Sequence, residues 1–182
     1  MKKNYLSLLV VFACSMLLFA GAAMAQTEYT YPADAPVLSV TFPEGWTLEL
    51  DKEDQKTLTV TSKDEGVLLY LWPLDEEAVK ADVAAAIKAE ADGMDEFFAE
   101  LLSDTQFGEP EEVEINGFKF SNISGTAKFK DGGADASVSV TFFATAENKL
   151  FAMVTIATPD TEKANEEDLG GIVNSIKNPS QK

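Results

Sequence analysis

Three residue types that carry much of enzyme chemistry are scarce in this 182-residue sequence. It contains no histidine and no arginine, and its one cysteine, Cys14, lies near the N-terminus. Imidazole and thiolate groups are the usual zinc ligands, and they also form the usual nucleophile–base pairs of hydrolases. Arginine supplies the planar donor that clamps phosphates in a bidentate fashion. These absences argue against most zinc-dependent, nucleophilic and phosphate-transfer enzymes, so we predict no catalytic residue and no cofactor.

Phosphate-binding glycine loops and long apolar runs are also missing. Gly132-Gly133 and Gly170-Gly171 lack the flanking residues that a phosphate loop needs. After residue 25, no apolar stretch is long enough to cross a bilayer. These exclusions favour a binding protein over an enzyme or a membrane protein.

Residues 1–25 have the three parts of a cleavable secretory signal peptide. Lys2 and Lys3 form the positive start, and residues 6–20 form an apolar run. Ala23 and Ala25 place small side chains at the two positions that a signal peptidase reads. The pattern predicts cleavage after Ala25 and a mature protein that is periplasmic or secreted.

Two other interpretations of the N-terminus fit less well. A retained membrane anchor would need a longer apolar run that does not end in small residues. A lipoprotein would need Cys14 as the acylated residue, but the bulky Phe12 suits that site poorly and the chain stays apolar after Cys14. Cleavage after Ala25 removes Cys14, so the mature protein would contain no disulfide.

Acidic residues outnumber basic ones by more than two to one. The chain has 31 Asp and Glu against 14 lysines, a net charge of −17, and loss of Lys2 and Lys3 with the signal peptide would make it −19. A surface this acidic repels nucleic acids and anionic lipid head groups, and it favours cations or a basic partner protein. The acids are dispersed along the chain, which is also what plain solubility requires.

Four strands are predicted in the first half of the mature chain. Residues 37–42, 46–51 and 57–62 alternate apolar and polar side chains, which is the period of a half-buried strand. Residues 67–72 are apolar on both faces, so this strand should lie at the centre of a sheet with cover on both sides. Residues 26–36 are polar and contain two prolines, and we predict an extended leader there.

A long helix is predicted from the cap residue Asp75 to residue 102. Six apolar residues recur at helical spacing along it and would cover one face of the sheet: Val83, Ile87, Ala91, Met94, Phe98 and Leu101. Gly93 weakens the middle of this helix, so we expect a bend or a break there.

The second half of the chain returns to strands. Asn116-Gly117 predicts a two-residue hairpin turn after a strand at 111–115. The apolar residues that follow change parity near Ser121 and Asn122, which predicts a β-bulge. Residues 136–142 alternate between apolar and polar, and their Ser137, Ser139 and Thr141 form the polar set.

A second central strand and a final helix complete the pattern. Residues 150–157 are apolar at nearly every position, so this strand should also be buried on both faces. Asn165 is the predicted N-cap of the last helix. Two such central strands, with one long middle helix and one C-terminal helix to cover them, predict an α+β fold. We expect an antiparallel sheet of about seven to eight strands between helical layers, an α/β/α sandwich.

Four local features stand in an order that is shared with one known superfamily. They are the Phe42-Pro43-Glu44-Gly45-Trp46 corner, the helix after the fourth strand, the Asn116-Gly117-Phe118 hairpin and the closing segment LGGIVNSIK at 169–177. Over residues 37–178 this order resembles the PsbP-like superfamily, which includes the photosystem extrinsic subunit, a Ran-binding nuclear import factor and bacterial DcrB-like envelope proteins. The resemblance implies a PsbP-like domain with an accessory binding role and no catalysis. Its metal-binding members use histidine as well as acids, and this sequence has no histidine.

The resulting organisation is a signal peptide at 1–25, a leader at 26–36, one PsbP-like domain at 37–178 and a tail at 179–182. Four functions stay open, and the last of them, carriage of a small ligand, cannot be tested from the sequence. The favoured one is an exported, non-catalytic accessory domain of the bacterial envelope that engages a protein partner. The second is binding of a divalent cation such as calcium, with Asp131 and Asp135 as candidate ligands, although their spacing matches no calcium loop and fits a glycine hairpin turn. The third is a hydrolase that uses two carboxylates.

Overall fold

The structure is a computed structural model, and it describes residues 26–180. The predicted signal peptide and its cleavage site lie outside the described residues. The elements follow in the order β1 Thr27–Tyr31, β2 Leu38–Phe42, β3 Thr47–Leu50, β4 Leu58–Thr61, β5 Val67–Pro73, α1 Glu76–Ala81, α2 Val83–Leu101, β6 Leu102–Phe107, β7 Glu111–Ile115, β8 Phe118–Phe129, β9 Asp135–Ala146, β10 Lys149–Ala157, α3 Pro159–Ala164 and α4 Glu166–Ser175. Between residues 26 and 180, every helix is too short or too polar to span a membrane.

An eight-stranded antiparallel sheet forms the centre of the molecule. The strand order is β3-β4-β5-β10-β9-β8-β6, and β7 also pairs with β8. The two strands that are apolar on both faces, β5 and β10, are neighbours in the middle of this order. Their predicted central position is therefore confirmed, and so is the α+β class.

One face of the sheet, called the closed face here, lies under α1 and α2. Met94 and Phe98 of α2 are buried against the sheet, where Val138, Val140 and Val154 meet them. Phe98 is 2% exposed and Val154 is fully buried. The apolar stripe predicted for the long helix therefore packs on the sheet along its middle.

The opposite face, called the grooved face here, carries a mixed cover. Ile172 of α4 packs there against the sheet, together with Val40 and Phe42 of the β1–β2 hairpin. Leu69 of β5 and Phe151 of β10 lie in the same buried cluster. Helices cover both faces, as predicted, but a two-stranded sheet shares the cover of this one.

The segment predicted as a leader differs in the structure. Thr27–Tyr31 forms β1, which pairs in antiparallel register with β2 so that Thr27 lies opposite Phe42. Tyr29 and Tyr31 pack against the core, and burial raises the pKa of the Tyr29 hydroxyl to about 12. The alternating tyrosines were a strand signal, but the prolines that follow them obscured it.

The long helix breaks at Asp82 and not at Gly93. The Asp75 carboxylate accepts a hydrogen bond from the Ala78 amide at 2.8 Å, which caps α1. Asp82 accepts one from the Ala85 amide at 3.1 Å, which caps a second helix, α2. Gly93 lies inside α2, where no strain requires a break. A second N-cap residue within the run outweighed the weak propensity of one glycine.

The parity change in β8 is not a bulge. β8 pairs with β9 without a register shift, and the shift lies instead in β6, between Ser103 and Gln106. Phe120 packs on the grooved face and Ala127 on the closed face. Because both faces of the sheet are buried, one regular strand places apolar side chains on different faces at its two ends.

Two turn and cap predictions have different outcomes. The Asn116-Gly117 hairpin turn is confirmed, with positive φ angles of 53° and 82° at the two residues. Asn165 begins α4 but makes no side-chain cap, since the short helix α3 precedes it and Thr158 caps α3. The Asn165 amide nitrogen donates instead to the Thr161 carbonyl at 2.9 Å.

Candidate functional site: a groove between the sheet and the C-terminal helices

A groove of about 770 Å³ opens on the grooved face, between α3–α4 on one side and β7 on the other. The groove exists because α4 and the β1–β2 hairpin together are narrower than the sheet that they cover. Seven neighbouring strands at about 4.8 Å span about 29 Å, whereas a helix about 10 Å wide and a two-stranded hairpin about 10 Å wide cover about 20 Å. The strip of sheet that stays open, from the central strands β5 and β10 to β9 and β8, is the floor of the groove.

The floor has an apolar part. Leu69 and Met153, on the two central strands, line the groove and are almost fully buried. Val113, on the β7 wall, is 48% exposed, which is high for a large apolar side chain in a strand. Val113 therefore adds accessible apolar surface beside a floor whose own apolar residues are buried.

The other part of the floor is a cluster of hydrogen-bonded polar side chains. Asn122 on β8 lies opposite Thr141 on β9, and its Oδ1 accepts a hydrogen bond from the Thr141 hydroxyl at 2.7 Å. The same oxygen accepts from the Ser139 hydroxyl at 2.6 Å. The Asn122 amide nitrogen donates to the Ser124 hydroxyl oxygen at 3.0 Å. Both hydroxyl protons on β9 are thus committed to Asn122, so the hydroxyl oxygens keep lone pairs that can accept hydrogen bonds.

Charged residues form the rim. Glu111 and Glu112 lie on β7, and Glu162 and Glu166 lie on α3 and α4. Lys163 is the only positively charged residue among the lining residues. Three of the four glutamates are exposed, and Glu162 is half-buried. The rim therefore carries an excess of negative charge above a floor that offers hydrogen-bond acceptors.

Hydrogen bonds from α4 to the rest of the molecule hold one wall of the groove. The Thr41 amide of β2 donates to the Ser175 hydroxyl oxygen at 2.8 Å. At the end of the groove, the Asn116 side chain donates to the Asn174 carbonyl at 2.6 Å, which joins the β7–β8 turn to α4. A hydrogen bond therefore joins the two walls, and the groove is already open in this conformation of the protein.

The start of the α3–α4 wall is held by Asp64, in the turn between β4 and β5. Asp64 accepts hydrogen bonds from the Ser62 hydroxyl at 2.5 Å and from the Asn165 amide nitrogen at 3.3 Å. These contacts, with the one to Ser62 the largest, lower the pKa of the Asp64 carboxyl. The lowered pKa means that the ionised carboxylate is the form that holds this turn to α3–α4.

The two residues predicted as cation ligands lie elsewhere. Asp131 and Asp135 are exposed in and beside the β8–β9 turn, and neither lines the groove. The Lys128 ammonium forms an ion pair with Asp135 at 2.7 Å and lowers the pKa of that carboxyl. Within residues 26–180, no three acidic or other ligating side chains are grouped so that they could hold a metal ion. The cation site therefore remains a prediction that rests on Asp131 and Asp135 alone.

Sequence reasoning missed the groove. Alternation along β9 identifies Ser139 and Thr141 as a polar set, which suggests a solvent-exposed face. In the structure this face is the floor of the groove, and Thr141 is only 8% exposed. The relevant signal was Asn122 on the neighbouring strand, but its pairing with Thr141 depends on a register that the sequence alone does not give.

Comparisons with known proteins bear on the fold. Neither a protein-family model nor a curated protein matches the chain. The solved structure of CyanoP, the cyanobacterial PsbP of Synechocystis, is similar at a TM-score of 0.56 with 14% sequence identity, over 88% of this chain and 95% of that one. The chain has a PsbP-like fold. The PsbP-like resemblance that the sequence features predicted is therefore confirmed for the fold.

Two further structures are similar at comparable identity. A protein from Bacteroides thetaiotaomicron has a TM-score of 0.54 and 10% identity, over 87% of this chain and 50% of that one. LpqN of Mycobacterium tuberculosis, described as involved in cell envelope biogenesis, has a TM-score of 0.49 and 12% identity, over 86% and 92% of the two chains. At identities this low the similarity to CyanoP and to the Bacteroides protein concerns the fold alone, so function has to be argued from the groove.

Proposed function

We propose that the protein is an exported, non-catalytic accessory domain of the bacterial cell envelope, and that it engages a protein partner through the groove. Export is supported by the signal pattern of residues 1–25. The accessory role is the one that the PsbP-like resemblance implies. The observation that carries the proposal is the groove itself, a concave surface with an apolar floor and walls that are bonded in place.

The shape of the groove favours a segment of a protein over a small molecule. Pockets for small molecules enclose most of the surface of their ligand. Here the whole β7 wall from Glu111 to Glu114 is exposed, and Val113 on it faces the groove. An open site of this kind suits a partner whose contact continues beyond the groove.

The same lining residues support a role without catalysis. No histidine or cysteine is present in the described residues to act as a base or a nucleophile. The rim glutamates Glu111, Glu112 and Glu166 are exposed. General acids in two-carboxylate hydrolases depend on an apolar, buried setting, which these side chains do not have.

Photocrosslinking in the producing cells tests this function. A photoreactive phenylalanine analogue is placed at Val113 in the groove, and in a control at Glu96, which is exposed on α2 over the closed face. We expect the Val113 position to crosslink to a defined envelope protein in the fractionated cells, and the Glu96 position not to do so. The crosslinked protein is then identified by mass spectrometry, purified and tested for binding.

The proposal requires that the purified partner binds the wild-type protein and that Val113→Glu weakens this binding. Val113 is half-exposed, so the substitution should leave the thermal unfolding of the domain nearly unchanged. Equal crosslinking from Val113 and Glu96, or binding that Val113→Glu does not affect, would contradict a role of the groove in partner recognition.

A further inference from the structure

We infer that the occupant of the groove is a basic, extended peptide segment whose lysine or arginine side chains point at the polar floor. The inference rests on the proposed function and specifies the chemistry of the partner. Three properties of the groove lead to it: the charge of its rim, the direction of hydrogen bonding in its floor, and the length of its β7 wall.

The rim favours a cation. Glu111 on β7 pairs with Asn122 and so shares the face of the floor. Glu162 and Glu166 line the other wall beside one lysine, so a positively charged segment meets an excess of opposite charge on both walls. Glu111 and Glu166 illustrate the arrangement, since the first lies on β7 and the second on α4. An anionic segment would instead meet like charges on each side, which disfavours it as a ligand.

The floor favours a hydrogen-bond donor. The hydroxyls of Ser139 and Thr141 both donate to Asn122 Oδ1, at 2.6 and 2.7 Å, and so present lone pairs as acceptors. Lysine and arginine side chains carry only donors. Val113, half-exposed on the β7 wall, offers an apolar surface for the methylene stem of such a side chain while its charged end reaches the hydroxyls.

The length of the wall favours an extended segment over a small amine. β7 runs from Glu111 to Ile115, five residues, and four of them line the groove. Five extended residues span about 17 Å. A segment of similar length, with alternate residues directed at the floor, would therefore contact the whole groove, whereas a small amine would contact only one part of it.

The test uses the exported protein and two labelled synthetic peptides, Lys-Val-Lys-Val-Lys and Glu-Val-Glu-Val-Glu. They share length and apolar residues and differ in charge. Fluorescence anisotropy should show saturable binding of the lysine peptide, weakened when salt is raised from low to physiological ionic strength, and no binding of the glutamate peptide. Equal binding of both peptides, or of neither, overturns the inference.

A pair of charge-matched variants separates the groove from the general acidity of the protein. Glu111→Gln with Glu166→Gln removes two rim carboxylates, and Glu96→Gln with Glu100→Gln removes two exposed carboxylates from α2. The first pair of substitutions should lower the affinity for the lysine peptide by about three- to tenfold, which is the combined effect of two exposed ion pairs. The second pair should leave this affinity almost unchanged. Equal weakening by both pairs would show attraction to the overall charge and would overturn the inference.

A third variant tests the floor without changing the charge. Ser139→Ala removes one acceptor and leaves Asn122 its bond with Thr141. This variant should bind the lysine peptide with lower affinity, while its melting temperature stays close to that of the wild type. Competition by free 1,5-diaminopentane that is as strong as competition by the unlabelled peptide would show that the site takes a small amine and not a peptide segment.

The outcomes also distinguish this inference from the proposed function. A crosslink from Val113 to a protein whose contacting segment carries no lysine or arginine would overturn the inference and keep the function. Binding of the lysine peptide in the groove, together with a partner that crosslinks only through Glu96, would overturn the proposed function and keep the inference about the chemistry of the groove.

Discussion

The two faces of the central sheet are covered to different extents. On β10, Val154 faces the closed face and is fully buried under α2, while the next residue, Thr155, faces the groove and is half-buried. The closed face is covered mainly by one helix of 19 residues. The grooved face has a 10-residue helix and a two-stranded hairpin, which leave part of it open. Both faces therefore contribute to the core, and the open part of the grooved face is the binding surface that we propose.

The first prediction compares neighbouring residues on opposite faces. Val154→Asp would bury an unpaired carboxylate in the closed face. This burial costs several kcal/mol of folding free energy, which is comparable to the whole stability of a domain of this size. Thr155→Asp would place the same group in the groove, where water reaches it, and should reduce stability by about 1 kcal/mol. Urea unfolding followed by circular dichroism should show loss of cooperative unfolding for the first variant only.

The two variants have the same chemistry on the same strand, so each serves as the control for the other. If Thr155→Asp unfolds the protein and Val154→Asp does not, the assignment of the two faces is wrong. If both unfold it, the groove is as dry as the core, and its role as an open binding surface has to be abandoned.

The sequence predicted the elements of this comparison better than their arrangement. Runs that are apolar on both faces identified β5 and β10 as central because no other position in a sheet buries both sides of a strand. The helical spacing of Met94 and Phe98 identified the cover of the closed face for the same kind of reason. These features depend on local periodicity, which the sequence contains directly.

Features that depend on long-range pairing were predicted poorly. The hairpin of β1 and β2 was missed for a local reason instead, because Pro32 and Pro36 suggested a leader and obscured the alternation of Tyr29 and Tyr31. The parity change in β8 looked like a bulge, although cover on both faces of the sheet also allows one regular strand to bury a different face at each end. Only the unshifted pairing of β8 with β9 decides between the two. The polar floor brings together Asn122 and Thr141 through the register of β8 and β9, so no single stretch of sequence reveals it.

The second prediction concerns the packing of α3, which forms part of the groove wall. A Cβ atom added at Gly66, in the turn before β5, would lie 2.1 Å from Thr161 Cγ2 in α3. The Thr161 hydroxyl is held by a 2.6 Å hydrogen bond to the Thr158 hydroxyl, so the side chain has little freedom to turn away. Gly66→Ala should therefore displace α3 and lower the free energy of unfolding by about 1–3 kcal/mol, measured by urea titration.

Two variants control for this effect. Gly93→Ala adds the same methyl group inside α2, where apart from the adjoining residues and backbone of the helix itself no atom lies within 4 Å, so it should raise stability by about 0.5–1 kcal/mol through helix propensity. Thr161→Ser removes Cγ2 and keeps the hydroxyl, so it should restore most of the stability lost in Gly66→Ala. A double variant as unstable as Gly66→Ala alone would show that the clash with Thr161 is not the cause.

The smallest expected effect concerns the electrostatic contact that holds the same wall. Asp64 accepts hydrogen bonds from Ser62 and Asn165, and its pKa in the folded protein lies below its usual value of 3.8. A carboxyl group with a lowered folded pKa stabilises the folded state above its unfolded pKa, and this contribution is lost as the pH falls through the folded pKa. The group is fully exposed, so the contribution is modest and screened by salt.

Asp64→Asn keeps the shape of the side chain and removes its charge, so the variant should be less stable than the wild type at pH 7. The difference in stability between the two proteins should begin to narrow as the pH falls towards 3.8, where the unfolded wild type takes up the proton, and should vanish below the lowered folded pKa, where the folded carboxyl is neutral like the amide. Urea midpoints of both proteins at pH 7 and at pH 3 measure this difference in stability. Asp34→Asn, an exposed change in the β1–β2 connection, controls for the lost charge and should show a smaller gap at pH 7. A gap for Asp64→Asn that is the same at both pH values would mean that the ionised carboxylate does not hold the turn to α3 and α4.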